Sequence, residues 1–180
     1  MRKLNVQELG RMTNDEFRTC RKLPLTVVLD NVRSLYNIGS IFRTSDAFRI
    51  EKIILCGITA TPDNSLTEIH KTALGAEETV SWEYCDDTLQ AVLSLKEEGY
   101  TVIAVEQVAE SRKLDEYVPE EGSFAVVFGN EVKGVRQDVV DICDYSLEIL
   151  QFGTKHSLNV SVSAGIVLWE FAKHLMSGIR

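Results

Sequence analysis

The sequence predicts a single α/β domain, a parallel sheet covered by helices on both faces, with a short helical extension at the N-terminus. Two observations carry this. The segments LTVVL (25–29), KIILC (52–56), TVIAV (101–105) and SFAVVF (123–128) are near-continuous apolar runs rather than alternating ones, as strands buried on both faces must be. Segments of helical patterning separate them, the order that builds a parallel sheet. At 180 residues, 44% hydrophobic and 26% charged, the chain suits one core of ordinary size.

The elements follow in order. Residues 5–21 read as helical, in one piece or two, because Thr13/Glu16 and Asn5/Glu8 stand at capping-box spacing and Gly10 interrupts the run. Pro24 then punctuates, and 25–29 is a strand. Residues 39–48 read as a helix and 52–56 as a strand. Gly57, Pro62, Asp63 and Asn64 mark 57–65 as a loop. A short helix over 66–73 and a strand over 78–82 come next. Asp86 or Asp87 caps a helix that Gly99 stops. Strands at 101–105 and 123–128, a helix over 136–143, a strand at 145–149 and a closing helix over 157–175 complete the chain. The natural division is a basic extension, 1–22, and an α/β domain, 23–180.

Composition narrows the function. The longest apolar runs are far shorter than the ~20 residues that span a bilayer. The opening MRKLNVQELGRM has neither an apolar core nor a cleavage site of the secretory kind. The expected location is therefore the cytoplasm, with no membrane partner. Cys20, Cys56, Cys85 and Cys143 form no C-x-x-C pair and read as inert small hydrophobes. His70, His156 and His174 are scattered, so no metal site is expected. The net charge of −8 argues at first sight against a nucleic-acid partner. Its distribution softens that. Residues 1–22 hold six basic and three acidic groups, whereas the other 158 residues hold 13 and 24.

In open α/β sheets, ligands bind beyond the carboxyl ends of strands. Three such loops are rich in glycine and polar groups. In DNVRSLYNIGSIFRTSD (30–46), Asn37 and Gly39 stand just before a helix, and Arg43 lies inside it beside Phe42. Asn37 suits a helix cap. An arginine near an apolar face calls for an anionic partner, structural or substrate. In FGNEVKGV (128–135), Val135 stands where a phosphate-binding loop needs lysine. What remains is a tight turn at Gly129 and Gly134 with a carboxylate at Glu131. In ILQFGTKHSLNVSVSAG (149–165), Ser157, Asn159, Ser161 and Ser163 lead into a helix.

Together these segments resemble the three motifs of the SpoU (TrmH-like) RNA 2'-O-ribose methyltransferases of the SPOUT superfamily. The first motif, N-x-G-x-x-x-R-T, matches Asn37, Gly39, Arg43 and Thr44. The second, F-G-N-E-x-x-G, matches Phe128 to Gly134. The third, S-L-N-V-S-V-x-A-G, matches Ser157 to Gly165. The resemblance covers roughly 25–175 and implies a C-terminal deep trefoil knot, S-adenosylmethionine as cofactor, and a homodimer acting on RNA, either tRNA or rRNA. It places Gly129, Ile149 and Leu158 along the cofactor. It makes Arg43 the main catalytic residue, with Asn37, Glu131, Ser157 and Asn159 around it and no metal. Glu131 is expected to orient the Arg43 guanidinium, and Asn37, Ser157 and Asn159 to hold Arg43 and the ribose. One departure is Leu150, which stands where many members carry proline after the isoleucine. The alternatives are a non-catalytic RNA-binding SPOUT module and a base-directed SPOUT methyltransferase.

Overall fold

The computed structural model describes residues 1–5 and 7–176. Its strands are β1 (Leu23–Asp30), β2 (Ile50–Cys56), β3 (Ser81–Cys85), β4 (Thr101–Val105), β5 (Arg112–Lys113), β6 (Phe124–Phe128) and β7 (Tyr145–Glu148). Its helices are α1 (Asn14–Thr19), α2 (Leu35–Ala47), α3 (Pro62–Ala73), α4 (Thr88–Glu97), α5 (Gln137–Val140) and α6 (Val160–Leu175). The strands form one sheet in the order β3-β2-β1-β6-β4-β7-β5, and every pairing is parallel.

The period of two along each strand divides the core. Leu25, Val27 and Leu29 of β1 face one side with Ile53, Leu55 and Val126. There they meet Ile38, Ile41 and Phe42 of α2 and Ala164, Val167 and Leu168 of α6. Val28, Ile54, Val102 and Val127 face the other side, against Ala91, Val92 and Leu95 of α4 and Val139 of α5. Apolar side chains on successive strand residues thus serve two buried faces, which is why the runs do not alternate.

The extension is two short turns, not one helix. Asn5 and Glu8 cap each other reciprocally around a turn at Gln7–Leu9. Thr13 and Glu16 form a full capping box on α1. Phe17 is buried in the same core as the sheet, and the Lys22 ammonium lies 3.1 Å from its ring centre.

Several boundaries differ from the sequence expectation. Pro24 does not precede the first strand but lies inside it, where the β1–β2 register shifts. Pro has no N–H to give the ladder, so the irregularity falls there. Helix α2 begins at Leu35, not 39, because Ser34 supplies its cap by accepting from the Asn37 N–H at 3.3 Å. Part of the expected 57–65 loop is helical, since Pro62 opens α3 with its preset φ. The strand expected at 78–82 is β3 at 81–85, preceded by a 3-10 turn. The helix over 136–143 shortens to 137–140, and that over 157–175 starts at 160. Strand β5 has only two residues and no apolar signature to announce it.

β6 lies between β1 and β4, and β7 lies beyond β4. After β7 the chain must return across the carboxyl ends of the sheet to pack α6 on α2 and β1. Gln107 pins the return by donating to the His156 carbonyl at 3.1 Å. This path fits a trefoil knot. Among the described residues, no helix is long and apolar enough to cross a membrane.

Candidate functional site

The carboxyl ends of β4, β6 and β7 open into a cleft of about 700 Å³. Its walls are the three loops at 105–108, 128–135 and 147–160. The 129–134 turn is closed on itself, with Asn130 N–H donating to Gly134 O at 3.0 Å and Gly134 N–H to Asn130 O at 2.9 Å. A Cβ on Gly129 would lie 2.1 Å from both the Gly134 carbonyl carbon and the Val135 nitrogen. Only glycine lets the strand end approach its own loop so closely.

Three residues hold this turn: Asn130, already part of the second motif, and two not singled out from sequence, Asp30 and Glu106. The Asn130 side chain accepts from Val132 and Lys133 N–H and donates to Asn31 O at 2.8 Å. Asp30, fully buried at the end of β1, accepts from Arg136 N–H (2.9 Å), the Thr88 hydroxyl (2.6 Å) and the Asn31 amide (2.8 Å). Glu106, at the end of β4, accepts from Val135 N–H at 3.0 Å. A carboxylate immediately after an apolar strand was the available signal for the two acids.

Across the rim runs a chain of amides. Asn159 caps α6, accepting from Ser161 N–H at 2.9 Å. It donates to Asn37 Oδ1 at 3.1 Å, and Asn37 donates to Glu131 Oε1 at 3.0 Å. Glu131 also receives Ser34 N–H (2.9 Å) and Arg33 N–H (3.0 Å), so it seals the first turn of α2. Burial pushes the Glu131 carboxyl up, but these backbone and amide donors outweigh it and hold the group below its ordinary value. A depressed carboxylate contributes stability above its unfolded-state pKa of about 4.3, and loses it as pH falls through the lower folded value. Glu131→Gln is therefore expected to lower the melting temperature at pH 6–8. The gap from wild type should close below about pH 4, as thermal melts across that range will read.

Of the residues singled out from sequence, Gly129, Ile149, Leu158, Glu131, Ser157 and Asn159 line the cleft. Asn37 joins them through Asn159 and Glu131. Arg43 does not. It is exposed, six residues beyond Asn37 along α2 and thus ~9 Å further down the axis. Among the described residues it has no hydrogen-bonding or ionic partner. Of the two partners the sequence left open for it, structural or substrate, the described residues supply no structural one, and Glu131 orients Asn37 and the helix end rather than the guanidinium. Asn37 is not the helix cap, because Ser34 takes that position. The cysteines are free, and burial pushes the Cys56 and Cys143 thiols up to about 12, far from nucleophilic.

The chain has relatives among known proteins. The profile of the SpoU rRNA Methylase family fits residues 24–169. The chain belongs to that family. A 23S rRNA (guanosine-2'-O-)-methyltransferase of Neisseria meningitidis is 36% identical over 82% of this chain, which spans 57% of that relative's length. A tRNA (guanosine(18)-2'-O)-methyltransferase of Thermus thermophilus is 32% identical over 91% of this chain and 81% of its own. The crystal structure of an AdoMet-bound rRNA methyltransferase from Sinorhizobium meliloti superposes with a TM-score of 0.77 at 27% identity, covering 90% of this chain and 60% of that one. The SpoU family match spans both the glycine turn and the Asn37–Asn159 pair.

Proposed function

We propose that this SpoU-family chain transfers the methyl group of S-adenosylmethionine to a ribose 2'-hydroxyl of tRNA or rRNA. The observation that carries the reading is the Asn159–Asn37–Glu131 chain on the rim of a glycine-cradled cleft. tRNA is favoured because the match to the Thermus relative spans more of that relative's length.

The cleft fits the cofactor. Its volume lies in the range of small-molecule sites. Val105, Phe128, Leu147, Ile149 and Leu158 offer apolar wall, and Gly129 leaves the backbone bare where a Cβ would intrude. Bound there, S-adenosylmethionine supplies a methyl group activated toward displacement. The protein's part is placement, which can be worth about 7–11 kcal/mol. Ser157, exposed on the cleft wall, and Asn159 present neutral donors and acceptors to the ribose. Asn37 and Glu131 fix the Asn159 amide. A guanidinium is a phosphate and oxyanion binder by its chemistry, so Arg43 serves as clamp for the RNA phosphate and stabiliser of the developing alkoxide, not as a base. No residue of the set needs a metal. The exposed cations Arg33, Lys133 and Lys155 stand around the loops of the cleft and receive the RNA backbone. Residues 1–22 serve as a basic arm to the 23–180 domain, and the enzyme works in the cytoplasm. The return of the chain after β7 closes a trefoil knot.

The active unit is a homodimer. Val162, Ile166 and Trp169 form an exposed stripe at i, i+4, i+7 on α6. Arg43, remote from its own cleft along α2, completes the site of a second copy. Trp169→Glu is expected to give a monomer by analytical ultracentrifugation and to lose methyl transfer with it.

The test is incorporation of labelled methyl from S-adenosylmethionine into unmodified tRNA and rRNA pools, followed by digestion to nucleosides and mass identification. A labelled 2'-O-methylnucleoside supports the reading. A labelled base would assign a base-directed reaction instead, and cofactor binding without label in either pool would favour a non-catalytic RNA-binding module.

A further inference from the structure

We infer that Glu106 lets the cleft distinguish the positively charged methyl donor from the product that has lost that charge. This rests on the cofactor reading above. Methyl transfer converts a sulfonium into a neutral thioether, so the two ligands differ by one positive charge and one methyl group.

Glu106 follows the last residue of β4 and lines the cleft. Its Oε1 accepts from Gln107 N–H at 2.9 Å, and its Oε2 from Val135 N–H at 3.0 Å. The carboxylate lies flat against the turn, for a Cβ on Gly134 would stand 2.1 Å from Oε2. Gly134 has φ +69, so a side chain there would be strained as well as blocked. An ionised carboxylate has about four acceptor positions, so two N–H groups leave capacity for a ligand in the cleft that Glu106 lines. Among the described residues no Lys or Arg side chain pairs with it.

The other charged side chains of the cleft make Glu106 the informative one. Glu131 is also a carboxylate, but its oxygens are turned to Arg33 N–H, Ser34 N–H and Asn37. Asp30 is buried beneath the turn and already has three donors. Glu148 lines the cleft further along, at the end of β7, and Lys133 and His156 are the basic lining groups. Both basic groups are exposed. A carboxylate at the strand end and an exposed lysine on the neighbouring turn suit a cationic ligand at the first and a phosphate backbone at the second. A role confined to holding the turn needs only an acceptor for Val135 N–H, which a neutral amide oxygen also provides. Charge selection needs the carboxylate.

The experiment compares wild type, Glu106→Gln and Glu106→Asp as full-length protein. Calorimetric titration gives the Kd of S-adenosylmethionine and of S-adenosylhomocysteine, and thermal melts confirm folding. Glu106→Gln is expected to weaken S-adenosylmethionine binding ~10-fold and S-adenosylhomocysteine binding less than ~3-fold. Glu106→Asp, which keeps the charge, is expected to restore part of the preference should the glutamine variant melt early. Equal weakening of both ligands, or no weakening of either, overturns the inference. Wild-type protein that binds neither ligand would instead strike the cofactor reading on which it rests.

Discussion

Arg43→Ala is expected to lower methyl transfer to RNA by about 10²–10³-fold, the usual cost of removing one preorganised donor from a developing oxyanion. The same change should leave the fold untouched. Arg43 is exposed and bonds to no side chain or carbonyl among the described residues, and surface positions of that kind shift stability by ~0.5 kcal/mol or less. The melting temperature and the Kd of S-adenosylmethionine should therefore match wild type while turnover collapses. A loss of cofactor affinity in step with activity would show that Arg43 shapes the cleft instead. The proposed dimer allows a sharper test. A mixture of Arg43→Ala and Asn159→Ala chains, unfolded and refolded together, contains mixed dimers in which one cleft is intact and faces an intact Arg43. If Arg43 acts across the interface, activity returns to about a quarter of wild type, because half the dimers are mixed and half their sites complete. If it acts within its own chain, the mixture stays inactive.

Gly39→Ala is expected to lower the stability of the protein markedly. In the sequence, Gly39 belongs to the same motif as Asn37 and Arg43. In the structure it is the contact point of α2 on α3. A Cβ there would lie 2.2 Å from the Thr72 hydroxyl and 2.3 Å from the Ile69 carbonyl oxygen. Thr72 can rotate, but the Ile69 carbonyl belongs to the helix backbone and can move only with α3. Overpacking of this kind costs about 1–3 kcal/mol, and each kcal/mol lowers the melting temperature by about 2–4 °C for a chain of this size. Because α2 also carries Asn37, a displaced helix should raise the KM for RNA as well. A Gly39→Ala protein that melts with wild type would show that α3 yields freely, and that the glycine is kept for the ligand instead.

Much of the molecule was legible before folding. The apolar runs identified four of the seven strands, because a strand buried on both faces carries mostly apolar side chains on successive residues. The capping boxes at Thr13/Glu16 and Asn5/Glu8 formed as spaced, because a cap is satisfied within four residues. The cleft-lining set Gly129, Glu131, Ile149, Ser157, Leu158 and Asn159 also fell together, since the loops after parallel strands must meet at one end of the sheet. Strand β5 gave no signal, being too short to carry a pattern.

The partnerships within that set were decided only in three dimensions. Glu131 and Asn37 are 94 residues apart, and Asn37 and Asn159 are 122 apart. No periodicity links them; β6 inserting beside β1, and α6 returning to α2, bring them within hydrogen-bond reach. The same folding turned Glu131 away from Arg43, gave the cap of α2 to Ser34, and left Arg43 facing solvent. Local sequence determines which residues are buried in a strand or close a turn, because those choices depend on neighbours along the chain. Which donor meets which acceptor depends on how the layers stack, and only the tertiary structure sets that.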